Sequence, residues 1–386
     1  MAPTSSSEVQ RSFLKYQHFF VFAAPILFVL LVVTAAPTPA DAGAGYWLEY
    51  WWLFFFFLLG ATIVNTVGIS GSAMFVPFLI FIFPLLAHEL KPETLVKVGL
   101  ISESFGLSSS AVAFVQYGLV DRRLGLTLVA GSIPFVVGGA ILSFYIPEPL
   151  FHAALGFALL GAAYLLFTAD LAHDGPGDGA GDDAETGAQS TSTDDGAAAG
   201  DGQTSAPDGG TTVAGGSEAL PDDDGKLGPA GVGIDEAGTI TRVDREGDAY
   251  SYTWGGYLER FANYSVGGAF QGLAGFGIGE LGIISMLRTD VPIRVAIGTN
   301  HVVVALTAIL ASLVHVFAGG FLPGAHSLSI ASTPWNMVVF TVPATTLGGQ
   351  IAPYVSSALD TDTITVGVAG LFGIISVALF LMAIGV

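Results

Sequence analysis

Two glutamates lie deep within long apolar stretches of the chain. Glu103 lies within residues 93–117, and Glu280 lies within residues 257–287. If these stretches cross a membrane, a carboxylate at their centre costs about 2.5–3.5 kcal/mol to insert, so burial favours the neutral acid facing the bundle interior. An acid that takes up a proton beside a bound anion would couple the binding of that anion to the uptake of the proton. The alternative is a buried acid satisfied by neighbouring Ser or Asn side chains.

Two glycine clusters flank these acids, Gly68-Ile69-Ser70-Gly71-Ser72 and Gly275-Phe276-Gly277-Ile278-Gly279. Glycine lets a helix stop and restart, and the new N-terminus offers free amides and a partial positive charge to an anion. The alternative is close helix packing through small residues, which we prefer for Gly348 and Gly349. A dinucleotide fingerprint does not fit, since no strand precedes the second cluster. The candidate anion-binding residues of the clusters are Gly68, Ser70, Gly71, Ser72, Gly275, Gly277 and Gly279.

Thr299, Asn300 and His301 form a polar triplet in another apolar stretch. Polar groups at such positions face a bundle interior or a cavity. Thr299 and Asn300 therefore either donate hydrogen bonds to the anion or bond neighbouring helices. His301 aligns within one place of Glu103 when the two halves of the chain are superposed, which suggests a Glu–His proton relay.

The elements that carry these residues are predicted to be membrane helices. Of 386 residues, 52% are apolar and 11% charged, and the mean hydropathy is +0.67, far from a soluble composition. The fold class is therefore an all-α polytopic protein of the cell membrane, with about nine transmembrane helices. The apolar stretches are 17–37, 46–67, 93–117, 124–146, 149–168, 257–287, 292–318, 334–355 and 362–384. Residues 46–86 are too long for one straight span, so a break near Gly68–Gly71 gives either a re-entrant half-helix or a broken helix.

The excess charge is confined to an acidic segment, residues 169–256. Nineteen of the 32 acidic residues but only three of the 12 basic residues lie between Asp170 and Asp248. This segment is rich in Gly, Ala, Ser and Thr, so we expect a disordered loop that acts as a solvated spacer rather than a regulatory tail. The acidic balance argues against a nucleic-acid partner. The absence of cysteine excludes disulfides and thiolate metal sites.

The first stretch has two interpretations. Arg11 and Lys15 precede it and Ala40-Asp41-Ala42 follows it, as in a cleaved signal peptide, but its length favours a retained helix. With nine spans, the count of basic residues in short loops places the N-terminus in the cytoplasm and the acidic segment outside.

The spacing of glycines and prolines predicts a duplication on the two sides of the acidic segment. Gly68 to Pro134 and Gly277 to Pro343 are equal intervals, and Gly-Gly steps follow both prolines. Duplicated halves with interrupted helices are typical of secondary transporters, whose substrate lies between the halves. The predicted organisation is an extra N-terminal helix in 1–45, a first repeat in 46–168, the acidic segment, and a second repeat in 257–386.

The order of these motifs resembles the sulfite exporter TauE/SafE family of membrane transporters. Its repeat opens with a glycine-rich element, as in both clusters, and continues with an Ala-x-Gly-Thr element, matched by Ala296-Ile297-Gly298-Thr299 and reduced to Val96-Lys97-Val98-Gly99 in the first half. The resemblance implies transport of small, often sulfur-containing anions such as sulfite or sulfonates. An anion channel, or a membrane sensor with the acidic segment as effector, stays open. We expect no enzymatic activity, cofactor or metal; the expected partners are a small anion, the bilayer and possible further copies of the chain.

Overall fold

The computed structural model describes residues 6–39, 42–43, 45–116, 119–173, 231–234, 240–243, 249–289, 291–322, 328–358 and 361–383. Within them the chain forms twelve α-helices and one small sheet. The helices are α1 Ser6–Ala35, α2 Leu53–Val67, α3 Ser72–Phe81, α4 Phe83–Leu86, α5 Pro92–Gln116, α6 Arg122–Leu142, α7 Glu148–His173, α8 Trp254–Ala274, α9 Ile278–Leu287, α10 Ile293–Phe317, α11 Trp335–Ala358 and α12 Thr361–Ala383. The strands are β1 Gly231–Ile234, β2 Ile240–Val243 and β3 Ala249–Tyr252.

Helices α2 and α3 form the first hairpin. Gly68 ends α2 with φ +87°, a left-handed conformation that glycine adopts without steric cost. The chain then reverses, so that Phe57 stacks on Phe75 with ring centroids 4.4 Å apart and Phe56 contacts Phe78 at 4.5 Å. The residue earlier in α2 contacts the residue later in α3, so the two helices run antiparallel.

Helices α8 and α9 form the second hairpin. Gly275 ends α8 with φ +89°, and Gly277 adopts φ +120° before α9 begins. Arg260, near the start of α8, donates a hydrogen bond to Thr289, just after the end of α9. Gly68 and Gly275 thus correspond as the glycines that end the first helix of each hairpin, whereas the equal sequence intervals pair Gly68 with Gly277.

The two hairpins enter the helix bundle from opposite ends. We call the end that carries Asp121 and Trp254 the loop face, because it adjoins the acidic segment, and the end that carries Pro92 the opposite face. The second hairpin begins at the loop face. The first begins at the opposite face, where Glu49, just before α2, accepts a hydrogen bond of 3.1 Å from Asn336 near the start of α11.

Each hairpin packs on a long helix from the other half of the chain. Helix α2 lies against α11, and α8 lies against α6. Glycines permit both approaches: a Cβ on Gly348 would lie 2.7 Å from that of Ala61, and a Cβ on Gly139 would overlap the carbonyl of Ala269. The packing role expected for Gly348 is therefore confirmed, and Gly349 packs in the same way on Gly106.

Four helices of the described residues are long and apolar enough to cross a membrane: Tyr46–Val67, Pro92–Val115, Arg122–Leu142 and Val295–Gly320. The first of these includes a 3₁₀ turn, and its helical part, α2, has 15 residues, which is about 22 Å long against about 30 Å of hydrocarbon. It then turns back as α3. The re-entrant alternative for the first break is therefore the observed one. The stretch 257–287 is divided into α8 and α9 rather than forming one continuous helix.

The direction of α1 changes the predicted orientation. Phe28 contacts Phe105 at 4.8 Å, and Val32 packs with Ile101, so α1 runs antiparallel to α5. Since α5 runs from the opposite face to the loop face, the N-terminal end of α1 lies at the loop face. The expectation that the N-terminus and the acidic segment lie on opposite sides is therefore wrong.

The acidic segment is partly ordered. Residues 174–230 lie outside the described residues, but β1, β2 and β3 pair in that order as an antiparallel sheet, with Val243 of β2 opposite both Gly231 and Ala249. The prediction of a disordered loop over all of 169–256 is thus wrong for the strands, as well as for the end of α7 and the start of α8. Tyr250 of β3 is buried against the helices.

Candidate functional site

The tips of the two hairpins meet inside the bundle. The backbone nitrogen of Ser70, in the first tip, donates a 3.1 Å hydrogen bond to Oε1 of Glu280 in α9. A Cβ on Gly279 would lie 2.7 Å from that same nitrogen, so glycine is required for the approach. We call this junction the tip site.

Glu280 bridges both tips with one carboxylate. While Oε1 accepts from Ser70, Oε2 accepts a 2.8 Å hydrogen bond from the backbone nitrogen of Gly277. Gly277 is the N-cap of α9, so the acid closes the N-terminus of its own helix. Its side chain is 1% exposed.

Glu103, which lies on α5, caps the N-terminus of α3, the second helix of the first hairpin. Its Oε2 accepts from the backbone nitrogen of Ser72 at 3.2 Å, and also from the Ser72 hydroxyl, at the first turn of α3. Its Oε1 accepts a 3.4 Å hydrogen bond from Nε2 of Gln271. Glu103 is also 1% exposed.

Gln271 connects the two acids and was not a sequence candidate. Besides donating to Glu103, its Oε1 accepts a 3.4 Å hydrogen bond from the Ser70 hydroxyl. The sequence offers a signal for it, because Gln271 is an amide one turn before Gly275 in an apolar stretch, and polar groups in such stretches are candidates by the rule applied to Asn300.

Asn300 holds the two tips together. Its Nδ2 donates to the carbonyls of Gly68 at 3.0 Å and Gly279 at 2.7 Å, one in each hairpin. Its Oδ1 accepts a 2.7 Å hydrogen bond from the Tyr264 hydroxyl. The amide protons that could serve an anion are therefore engaged by backbone carbonyls, which is the interhelical alternative. Tyr264 had no sequence signal.

Thr299 and His301 point away from the tip site. Thr299 accepts a 2.9 Å hydrogen bond from the backbone nitrogen of Asp121, and His301 contacts Ser110 at 3.0 Å through Nδ1. Successive residues of a helix are turned by about 100°, so the three members of the triplet face three directions. Glu103 and His301 share no hydrogen bond, and the structure does not form the proposed Glu–His relay.

The donors expected to hold a foreign anion thus hold the protein's own carboxylates. The amides of Ser70, Ser72 and Gly277 are all used, by Glu280 or Glu103. Of the cluster glycines, Gly68 and Gly275 form the turns, Gly279 permits the approach, and Gly71 precedes α3 as its N-cap. Chemically, the site is an anion site at two helix N-termini, filled by two acids that can take up protons.

Fold and site together define an integral membrane protein with two re-entrant hairpins that meet in its interior, an architecture of membrane transporters. The comparisons with known proteins make the assignment specific. The model of the family described as sulfite exporter TauE/SafE matches residues 52–379, and the chain belongs to this family. It is a membrane transporter of the sulfite-exporter type.

Individual relatives are distant or partial. The probable membrane transporter protein YunE of Bacillus subtilis (strain 168) is 22% identical over 311 residues, covering 80% of this chain and 88% of that protein. Undecaprenyl-diphosphatases of two Tropheryma whipplei strains are 36% identical over 77 residues, covering 18% of this chain. The match spans only 26% of the length of those diphosphatases. No solved structure matches the chain significantly.

Proposed function

We propose that this protein is a secondary transporter of the cell membrane that moves small, sulfur-containing anions such as sulfite or sulfonates together with protons. The observation that carries the proposal is the occupation of two helix N-termini by the carboxylates of Glu103 and Glu280. A site that holds two carboxylates by amide and hydroxyl donors has the donors that a small oxyanion needs.

Protonation supplies the coupling. A carboxylate competes with a substrate anion for the same amides, whereas a neutral carboxylic acid binds them weakly and does not repel the anion. One proton taken up by Glu280 would therefore release donors to one anion. Because linked binding is reciprocal, the bound anion would raise the affinity for the proton by the same factor.

The architecture supports alternating access. Helices α5 and α10 each have 25 residues, and α3 and α9 each have 10, which supports a correspondence between the two halves. Because the hairpins enter from opposite ends, the organisation that we propose is an inverted repeat with seven crossing helices. In this arrangement, rocking one half against the other would open the tip site to one face at a time.

The distribution of basic residues supports a new orientation. Arg122, Arg123 and Arg288 lie at the loop face, and Lys91 lies at the opposite face. By the excess of Arg and Lys on cytoplasmic loops, the loop face, the N-terminus and the acidic segment belong in the cytoplasm.

The test is uptake by proteoliposomes that contain the purified full chain, with sulfite, thiosulfate, a sulfonate, a carboxylate and sulfate as substrates. We expect wild-type uptake to rise with an inward proton gradient, and Glu280→Gln to lose this dependence. The matched control is Glu259→Gln, since Glu259 lies on the surface of α8 in an ion pair with Arg288. An unchanged dependence on pH in Glu280→Gln would exclude this coupling group. Uptake that follows voltage alone would indicate a channel, and no uptake of any anion would favour a sensor.

A further inference from the structure

A cavity of about 250 Å³ lies at the opposite face of the bundle. Its wall is formed by the start of α5, the end of α6, the start of α7 and the end of α10, and it includes Lys91, Glu93, Ser143, Phe151 and His315. One water molecule needs only about 10–15 Å³ of such space, so a small oxyanion fits together with water. We call this space the opposite-face cavity.

His315 is a fully buried polar residue of the cavity wall. Its Nε2 lies 2.8 Å from the carbonyl oxygen of Gly272. Since a carbonyl only accepts, Nε2 carries the ring proton, and Nδ1 keeps a free lone pair in the neutral ring. Nδ1 is buried and has no hydrogen-bond partner among the described residues. A buried acceptor without a partner costs free energy, so the wall of this cavity favours a ligand that donates a hydrogen bond.

The hydrogen bond to Gly272 connects the cavity to the tip site. Gly272 lies near the inner end of α8 and follows Gln271, whose side-chain amide contacts Glu103. A Cβ on Gly272 would lie 2.0 Å from the carbonyl oxygen of Val136 in α6, so glycine is required for the close approach of the two helices here. His315 and the inner end of α8 therefore link the cavity at the opposite face to the acids of the tip site.

Charged side chains at the start of α5 lie at the cavity. Lys91, which is exposed, and Glu93, which is half-buried, both belong to the wall. Lys97 is buried further along α5, where its ammonium donates to a carbonyl at 3.1 Å and to a hydroxyl at 2.7 Å just after Leu328, another wall residue. Two ammonium groups against one carboxylate give this side of the cavity a net positive charge, which attracts an anion.

These two properties select one form of oxyanion. The positive charge favours a negatively charged ligand, and the free lone pair of Nδ1 requires that this ligand also carries a hydrogen-bond donor. Hydrogensulfite has both, since its sulfur carries negatively charged oxygens and one hydroxyl group. Methanesulfonate has nearly the same size and the same charge, but a methyl group replaces the hydroxyl. A site that bonds a hydroxyl discriminates strongly against an analogue that lacks it.

We propose that the opposite-face cavity binds the singly protonated form of a small oxyanion, such as hydrogensulfite, with the Lys91 ammonium attracting its charge and Nδ1 of His315 accepting a hydrogen bond from its hydroxyl. The proposal rests on the proposed transport of small anions and names the form in which the anion is bound. An anion that carries its own proton supplies the anion and the proton of coupled transport in one binding step.

The experiment compares kcat/KM for sulfite and methanesulfonate in proteoliposomes that contain the full chain, at a mildly acidic pH where sulfite carries one proton. We expect the wild type to prefer sulfite, and His315→Leu to reduce this preference about tenfold, because the acceptor for the hydroxyl is lost. His315→Gln should retain part of the preference, since its amide offers an N–H donor for Gly272 and an acceptor oxygen. The control is His88→Leu, which replaces an exposed histidine at the same face and should keep the wild-type preference.

Charge variants test the same cavity without a change at His315. Lys91→Gln should raise KM about threefold for both anions, and Glu93→Gln should lower it, because each substitution removes one charge from the wall. Anion-dependent rises in the melting temperature of the purified protein measure binding without transport.

A wild-type protein that does not distinguish the two anions would overturn the proposal, as would a wild-type preference in a folded His315→Leu variant. If His315→Leu does not fold, unchanged KM values in both Lys91→Gln and Glu93→Gln would decide against the cavity. Failure of the wild type itself to move or bind either anion would refute the proposed function instead.

Discussion

Replacement of Asn300 by alanine tests whether the two hairpin tips are held as the structure shows. The substitution leaves three buried groups without their partner: the carbonyls of Gly68 and Gly279 and the hydroxyl of Tyr264. A buried polar group that loses its partner costs about 1–3 kcal/mol, so the total loss is at least about 3 kcal/mol. At about 2 °C for each kcal/mol in a large domain, the apparent melting temperature should fall by about 6 °C or more.

The assay is thermal unfolding of the purified protein in detergent, with Asn263→Ala as the matched control. Asn263 lies on α8, and its Nδ2 donates a single 2.9 Å hydrogen bond to the carbonyl of Glu259 one turn earlier. We expect the control to change stability by less than about 1 kcal/mol. Asn300→Asp separates hydrogen bonding from packing, since it keeps the volume but presents a carboxylate to two carbonyls. Equal melting temperatures for Asn300→Ala and Asn263→Ala would refute the role of Asn300 as the link between the tips.

Two further predictions concern the approach of the tips and the topology. Gly279→Ala adds a Cβ 2.7 Å from the backbone nitrogen of Ser70 in the facing tip. We expect overpacking to lower the free energy of unfolding by about 1–3 kcal/mol and to abolish transport. The control is Gly138→Ala, whose Cβ faces open space, and it should match the wild type in melting temperature and uptake. Because the chain has no cysteine, single cysteines at Ser6, Trp254 and Tyr145 can be labelled with a membrane-impermeant maleimide. Ser6→Cys and Trp254→Cys should react from the same side and Tyr145→Cys from the other, since α1 and α8 both begin at the loop face and Tyr145 follows the end of α6. Reaction of the first two from opposite sides would contradict the hairpin topology.

Glu103, Glu280 and the two glycine clusters can be singled out from the sequence for a common physical reason. An acid in an apolar helix and a glycine cluster are both costly in a membrane, and each cost is recovered only by a specific partner. Glu103 and Glu280 were predicted as proton-coupling groups and the glycine clusters as an anion site. The structure shows that they are partners of each other, which joins two separate predictions into one site.

The errors in the predicted topology have one physical origin. Apolar length alone cannot distinguish a helix that crosses the membrane from one that turns back inside it, because both are surrounded by apolar protein or lipid. The direction after Gly68 and Gly275 is set by a left-handed turn and by the aromatic and polar contacts within each hairpin. Because the chain turns back at both breaks, the described start of α1 and the small sheet lie at the same face of the bundle.

The sequence by itself determined the membrane class, the family resemblance, the glycine breaks and the two buried acids, because each depends on residue type and on spacing along the chain. Only the tertiary structure decided what these residues touch. Asn300 links the two tips, His301 faces away from Glu103, and Gln271 and Tyr264 belong to the tip site. The carbonyl that Asn300 contacts in the first tip is 232 positions away in the chain, so the contact is set by how helices from the two halves pack. Local sequence carries no record of which helix face will meet which neighbour.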